Sequence, residues 1–178
     1  MANPMRAEPI IRRGLPADAE NLAALATQVF LHTYATDGIS SPISSYVLSE
    51  FSVAKFLDLL NDTATNSVVI AEVNANLVGY ALVNERSPCS DRTNCTAELA
   101  TLYVQEHFTG KGVGSALIAY VEALAIERTG NPLWLTVNAK NKRAIAFYAM
   151  HGYSNIGVAE FRLGSERHEN FVLVAKNA

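Results

Sequence analysis

In residues 17–30, Leu22, Leu25, Ala26, Val29 and Phe30 recur at three- and four-residue steps, the spacing of a helix with one buried face. Ahead of it, residues 10–13 read as a first strand, and residues 1–8, which carry no periodicity, as a flexible tail before a single domain over 9–178. Residues 32–45 are rich in Ser, Thr, Gly and Pro and read as loop; Ser52 then has the chemistry of an N-cap for a short helix carrying Val53, Phe56, Leu57 and Leu60. Two runs at 67–73 and 77–85, rich in β-branched residues, flank Asn74-Ala75-Asn76 and predict a hairpin. Gly79 inside the second run marks a bulge or a close backbone approach. A polar loop over 86–96 leads to a strand at 97–104, a glycine-rich turn at 109–114 and a helix at 115–128. A strand at 133–137, a helix at 141–151 and strands at 152–158 and 170–174 complete the chain. This order predicts an α/β (α+β) fold with helices on the faces of a mixed sheet.

Composition narrows the function classes. Of 178 residues, 49% are hydrophobic and 17% charged, enough apolar material for a core and far from a disordered composition. Fourteen Lys and Arg against 17 Asp and Glu give a net charge of −3, without the basic excess that gripping a nucleic-acid backbone requires. Cys89 and Cys95 are too few for a disulfide scaffold or a four-ligand zinc site. His32, His107, His151 and His168 are dispersed, so no metal is expected. Free thiols and the lack of a long apolar run predict a cytoplasmic protein with no membrane partner.

The most informative stretch is the strand, glycine turn and helix over 97–128. Gly110, Gly112 and Gly114 leave backbone N–H groups free at a helix N-terminus, where the positive end of the macrodipole, about half an elementary charge, favours an anion. Lys111 adds a cation. The spacing fits neither a P-loop nor the dinucleotide fingerprint, and a helix start that merely needs flexible glycines stays open on the turn alone.

Two blocks in order resemble the GNAT superfamily of acetyl-CoA-dependent N-acetyltransferases. The first is Leu102-Tyr103-Val104 followed by Thr109-Gly110-Lys111-Gly112-Val113-Gly114, similar to that family's strand end and Q/R-x-x-G-x-G/A turn, with Thr109 in place of Gln or Arg. The second is Asn141-Lys142-Arg143-Ala144-Ile145-Ala146-Phe147-Tyr148 and then Gly152-Tyr153, similar to N-x-x-A-x-x-F-Y with its trailing glycine–aromatic pair. The resemblance implies a mostly antiparallel sheet of six to seven strands, flanked by about four helices, with a V-shaped splay between its central parallel strands.

It also implies roles. The pyrophosphate of acetyl-CoA, the co-substrate, lies on the backbone of Thr109, Gly110, Lys111, Gly112, Val113, Gly114 and Ser115, and its pantetheine arm pairs with Leu102, Tyr103 and Val104 like an added strand. Asn141, Ala144 and Phe147 hold the cofactor near its sulfur, and Tyr148 takes the place of the acid that protonates the leaving thiolate. The alternative for Tyr148 is ordinary aromatic packing. Glu98, on the strand entering the site, resembles the family's glutamate base; a solvated strand-edge glutamate is an equal reading.

The acceptor implied is a primary amine of a small polyamine-like molecule or a peptide, bound by the first helices, their loop or a second copy in a homodimer. Asp37, Glu50, Asp58, Asp62 and Glu85 either form an acidic mouth for a cationic amine or lie scattered over a solvated surface. An acyl-CoA-binding sensor without turnover is the competing class.

Overall fold

The structure is a computed structural model and describes residues 8–89 and 95–176. Residues 1–7 of the expected tail, and 90–94 of the expected polar loop, lie outside the described residues. Seven strands, β1 (Ile10–Arg13), β2 (Asn66–Val73), β3 (Asn76–Asn84), β4 (Ala97–Val104), β5 (Leu133–Asn138), β6 (Tyr153–Leu163) and β7 (Glu166–Ala175), form one sheet in the order β1-β2-β3-β4-β5-β7-β6. Every neighbouring pair is antiparallel except β4 and β5. Five helices accompany it: α1 (Ala19–Tyr34), α2 (Ser41–Glu50), α3 (Val53–Asn61), α4 (Val113–Thr129) and α5 (Lys142–Met150).

That is one helix more than expected, because α2 occupies part of the segment read as loop. Ser40 is extended at the N-cap position, Pro42 sits in the first turn, and the N–H of Ser44 reaches the Ser40 carbonyl at 2.9 Å. Only Ile43 and Val47 are buried among its ten residues, packed with Phe30 and Leu163. So thin an apolar face gives little periodic signal, and packing rather than propensity holds the helix. The last two strands also run further than expected, meeting at a turn where Gly164 has φ +60°. Their added length alternates charged residues such as Glu160 and Arg162 with Phe161 and Leu163, leaving one face apolar.

The sheet is covered on both faces. On one, α4 lays Val113, Leu117, Ile118 and Val121, each at most 2% exposed, over β2, β3 and β4, and α5 adds Tyr148. On the other, Leu22, Leu25 and Ala26 of α1 and Phe56 and Leu60 of α3 pack on Val68, Ile70 and Tyr80. Ser52 caps α3 as expected, accepting from the N–H of Lys55.

The parallel pair breaks the continuity of the sheet. β4 and β5 are joined only at Ala97–Leu133 and Glu98–Trp134. Beyond these residues β4 stays with β3 as far as Val104, opposite Gly79, and β5 stays with β7 as far as Asn138, opposite Asn170. The two central strands therefore diverge, leaving a wedge with an unpaired backbone edge on each side.

Gly79 is required where β3 meets β4. A Cβ there would stand 2.8 Å from the Tyr103 carbonyl oxygen and 3.3 Å from Leu117 and Val113, and a register shift falls opposite it between Ala71 and Glu72. Gly79→Ala should therefore lower stability by about 1–3 kcal/mol through overpacking. A denaturant midpoint unchanged from wild type would show that the contact relaxes freely.

Candidate active site

Two cavities meet in the wedge between β4 and β5. The larger, about 720 Å³, extends to the N-terminus of α4; the smaller, about 290 Å³, extends towards the aromatic side chains of α1, α2 and β6. Tyr34, Leu102, Tyr103, Asn141, Ala144 and Tyr148 line both, and so mark the passage between them.

The larger cavity ends on the glycine turn. Gly110 (φ +68°) and Gly112 (φ +86°) adopt left-handed conformations with nothing within 4 Å of where a Cβ would stand. Among the described residues, the backbone N–H groups of Gly110 through Ser115 find no hydrogen-bond acceptor in the chain. A row of free donors at the positive end of a 17-residue helix, unobstructed by side chains, fits a phosphate-bearing ligand. The Thr109 hydroxyl donates to the Glu106 carbonyl at 2.8 Å, so it braces the turn from within.

Of the expected cofactor-binding residues, Leu102, Tyr103, Val104, Thr109, Gly110, Gly112, Gly114, Ser115, Asn141, Ala144 and Phe147 line this cavity. Lys111 and Val113 do not. The Lys111 ammonium lies 5.2 Å over the Phe108 ring, and the Val113 side chain belongs to the core. The cation on the cavity wall is instead Arg143, which donates to both carboxylate oxygens of Glu106 at 2.9 and 3.1 Å. Arg143 occupies a variable position inside the second sequence block, which gave no reason to single it out.

Helix α5 is fixed against α4 by local contacts. The Asn141 side-chain carbonyl caps α5, accepting from the N–H of Ala144 at 3.0 Å, which leaves its amide group facing the Tyr34 phenol at the passage. Gly114 lets the helices approach, since a Cβ there would stand 3.2 Å from the Phe147 ring. His151 joins them: its Nδ1 meets the Phe147 carbonyl at 2.9 Å and its Nε2 the Ser115 hydroxyl at 3.1 Å. Since a carbonyl only accepts, Nδ1 carries the hydrogen and Ser115 donates to Nε2.

Tyr148 is 8% exposed, and its hydroxyl makes no hydrogen bond among the described residues. Burial, reinforced by the nearby Tyr34 phenol, pushes its pKa well above the ordinary phenol value. The side chain is thus a neutral O–H donor facing the passage.

Glu98 is placed differently from expectation. It stands where β4 and β5 are still paired, its carboxylate accepts from the Ser87 hydroxyl at 2.6 Å, and it lines neither cavity. The strand brings it towards the site, but the wedge opens only beyond it. Nor do the five carboxylates considered as an acidic mouth gather there: Glu50 pairs with Lys55, Glu85 with Arg128, Asp62 bonds Thr65 and Asn66, and neither these nor Asp37 and Asp58 line either of the two cavities. Cys89 and Cys95 are buried beside Val172, Val174 and Trp134, away from both cavities.

A sequence profile described as the Acetyltransferase (GNAT) family matches residues 34–153, which include the glycine turn, α5 and Tyr148. The chain belongs to the GNAT acetyltransferase family. It is an acyltransferase that uses acetyl-CoA as co-substrate and an amine as acceptor. Uncharacterised N-acetyltransferases of Mycobacterium tuberculosis and Mycobacterium bovis are 33% identical to it over 157 residues, spanning 88% of this chain and 96% of theirs. Among solved structures, the PaiA N-acetyltransferase of Thermoplasma acidophilum in complex with coenzyme A superposes with a TM-score of 0.76 at 23% identity, covering 96% of this chain and 99% of that one. Ribosomal-protein-alanine N-acetyltransferase of Brucella melitensis gives 0.69 at 22% identity, covering 93% and 98%. These likenesses show a shared GNAT fold.

The burial of Tyr148 carries a physical expectation. In a spectrophotometric titration, the difference between wild type and Tyr148→Phe should show no phenolate signal through about pH 10, where an exposed tyrosine is half ionised. A full phenolate difference at that pH would mean that the ring is solvated.

Proposed function

We propose that this GNAT member transfers the acetyl group of acetyl-CoA to a primary amine of a small, polyamine-like molecule or a peptide, by direct attack of the deprotonated amine on the thioester. The observation that carries this reading is the meeting of the two cavities at Tyr148. The larger offers free N–H donors at its far end and a strand edge along its wall; the smaller offers room for an acceptor on the opposite side of the same passage. A reaction between two substrates needs such a shared point, because holding both there replaces a bimolecular encounter by an oriented one.

In this reading the N–H groups from Gly110 to Ser115 hold the pyrophosphate of the co-substrate, and the open edge of Leu102, Tyr103 and Val104 pairs with its pantetheine arm. Asn141 directs its amide into the passage, and Tyr148 gives its proton to the departing sulfur. Among the described residues the smaller cavity is lined by no lysine or arginine and has the Glu166 carboxylate at its wall, which favours a cationic amine over an acceptor bearing an acid group. Phe30, Tyr34, Tyr46 and Phe161 supply ring faces that suit an ammonium or its alkyl chain.

Thiol release from acetyl-CoA with a panel of polyamines, monoamines, amino acids and peptide amines tests the reading. Release that depends on a cationic amine is expected; coenzyme A binding with no release across the whole panel would favour a sensor instead. Tyr148→Phe should lower kcat by about 10²-fold or more while leaving coenzyme A affinity unchanged, because only bond breaking uses the hydroxyl. An undiminished kcat would remove Tyr148 as the acid.

The cradle is tested by a matched pair at Gly110, where the turn leaves open space. Gly110→Asn and Gly110→Asp impose similar left-handed strain, but only the aspartate brings a negative charge towards phosphate. Calorimetric titration with coenzyme A should show Asp binding at least about tenfold more weakly than Asn, a difference of about 1.4 kcal/mol. Equal affinities would place the pyrophosphate elsewhere.

A further inference from the structure

Resting on the acetyl-transfer reading, we propose that His168 is the catalytic base that takes the proton from the acceptor's ammonium group. An amine near pKa 10 is mostly protonated at neutral pH and has no lone pair with which to attack, so transfer to it needs a proton acceptor beside the reacting nitrogen. Glu98, committed to Ser87 outside both cavities, does not supply one. In the larger cavity Glu106 is engaged by Arg143, and His32 lies 3.7 Å from the same carboxylate. The smaller cavity holds two candidates, Glu166 and His168.

The strand geometry singles out His168. Alternation along β7 puts Glu166, His168 and Asn170 on one face, and all three line the acceptor cavity that Tyr148 lines from α5. His168 Nε2 is buried without a hydrogen bond and lies 3.4 Å from the Glu166 carboxylate, close enough to feel its charge but not aligned to accept from it. That negative charge favours hydrogen on Nε2 and the lone pair on Nδ1. Among the described residues Nδ1 is neither buried nor hydrogen-bonded, and the side chain keeps 26% of its surface exposed. A carboxylate behind one ring nitrogen and an open lone pair on the other is the arrangement in which an imidazole works as a base. Two residues along, Asn170 Oδ1 is buried with no partner, a second acceptor on the same wall.

The other ionisable groups facing this cavity are the phenols of Tyr34 from α1, Tyr46 from α2, Tyr103 from β4 and Tyr148 from α5; the lining residues of β5 and β6 are uncharged. Burial raises the pKa of each of these four phenols, with Glu50 adding to the effect at Tyr46, so they stay neutral.

The protons balance. One leaves the ammonium for His168 Nδ1, and the freed lone pair forms the N–C bond to the acetyl carbon as the C–S bond breaks and its electron pair stays on sulfur. Tyr148 protonates the sulfur and is restored by the second proton that the nitrogen sheds, and His168 returns the first to solvent at the exposed Glu166 rim. The products are an amide, a thiol and one released proton.

The test is the pH dependence of kcat/KM for wild type and His168→Gln, using the amine of the panel that wild type acetylates best. Without a base only the free amine reacts, and its fraction rises tenfold per pH unit up to the amine's own pKa. The deficit of His168→Gln should therefore be about 10²-fold or more near neutral pH and shrink towards parity at alkaline pH, with coenzyme A affinity unchanged. A deficit constant across pH, or none, would overturn the assignment. Wild type gives an independent reading whether or not the variant folds: its profile should level off well below the amine's pKa, and a tenfold rise per unit up to that pKa would show that no base acts. Failure of wild type to release thiol with any amine would overturn the acetyl-transfer reading and His168 with it; release with a constant deficit would overturn His168 alone.

Discussion

The site depends on the shortness of the pairing between β4 and β5. Parallel strands join at two positions and then part, because each already has an antiparallel partner that carries it in its own direction: β3 holds β4 as far as Val104, and β7 holds β5 as far as Asn138. The closed end is pinned from one loop. The Ser87 carbonyl accepts from Trp134 Nε1 at 2.7 Å, and its hydroxyl donates to Glu98, so both strands are tied to a single residue just before they diverge. A half-buried glutamate that looked like a base from its position in the strand thereby serves as an anchor for the wedge. Past it, unpaired backbone groups on the inner edges need partners, and a buried backbone donor left without one costs about 1–3 kcal/mol. A substrate arm that pairs with those edges meets a need that the fold itself creates.

The glycine turn matters only because α4 is immobile behind it. Val113, Leu117, Ile118 and Val121 are locked into the sheet, so the N–H groups ahead of them are held in fixed positions rather than on a loose loop. The same helix start also organises α5, through Phe147 over Gly114 and His151 against Ser115. The free N–H donors of the turn and the tyrosine of the passage are therefore parts of one packed unit. Fixed dipoles of this kind need no reorganisation when a ligand arrives.

Legibility in the sequence tracks how local each signal is. Gly110, Gly112, Asn141 and Tyr148 lie in contiguous blocks whose conformations are set within a few residues, as by positive φ or by a cap, and all four line the larger cavity. The acceptor wall was not legible in the same way. Phe30 and Tyr46 come from the first two helices and Phe161 and His168 from the last hairpin, two stretches far apart in the chain that share no spacing. One of those elements, α2, hides behind serines and a proline, and the tips of β6 and β7 carry the charges of a solvated hairpin. Strand position predicted that Glu98 would approach the site, but not that the strands would still be paired at that point.

Net charge says little about how the substrates are held, and the two cavities show why. A polyanionic co-substrate meets a chain of net charge −3, so attraction has to be local, and in the proposed reading it comes from unpaired N–H groups and a helix dipole that no count of residues records. On the acceptor side, the acidic residues that dominate the count are spent in ion pairs and turns elsewhere: Glu85 with Arg128, Asp18 and Glu72 with Arg12, Glu50 with Lys55. In the proposed reading the acceptor instead faces one carboxylate at the rim, an imidazole behind it and a ring of aromatic faces. Such a wall attracts a cation weakly enough that the cation can still lose its proton, since a strong ion pair would stabilise the ammonium and oppose the deprotonation that attack requires.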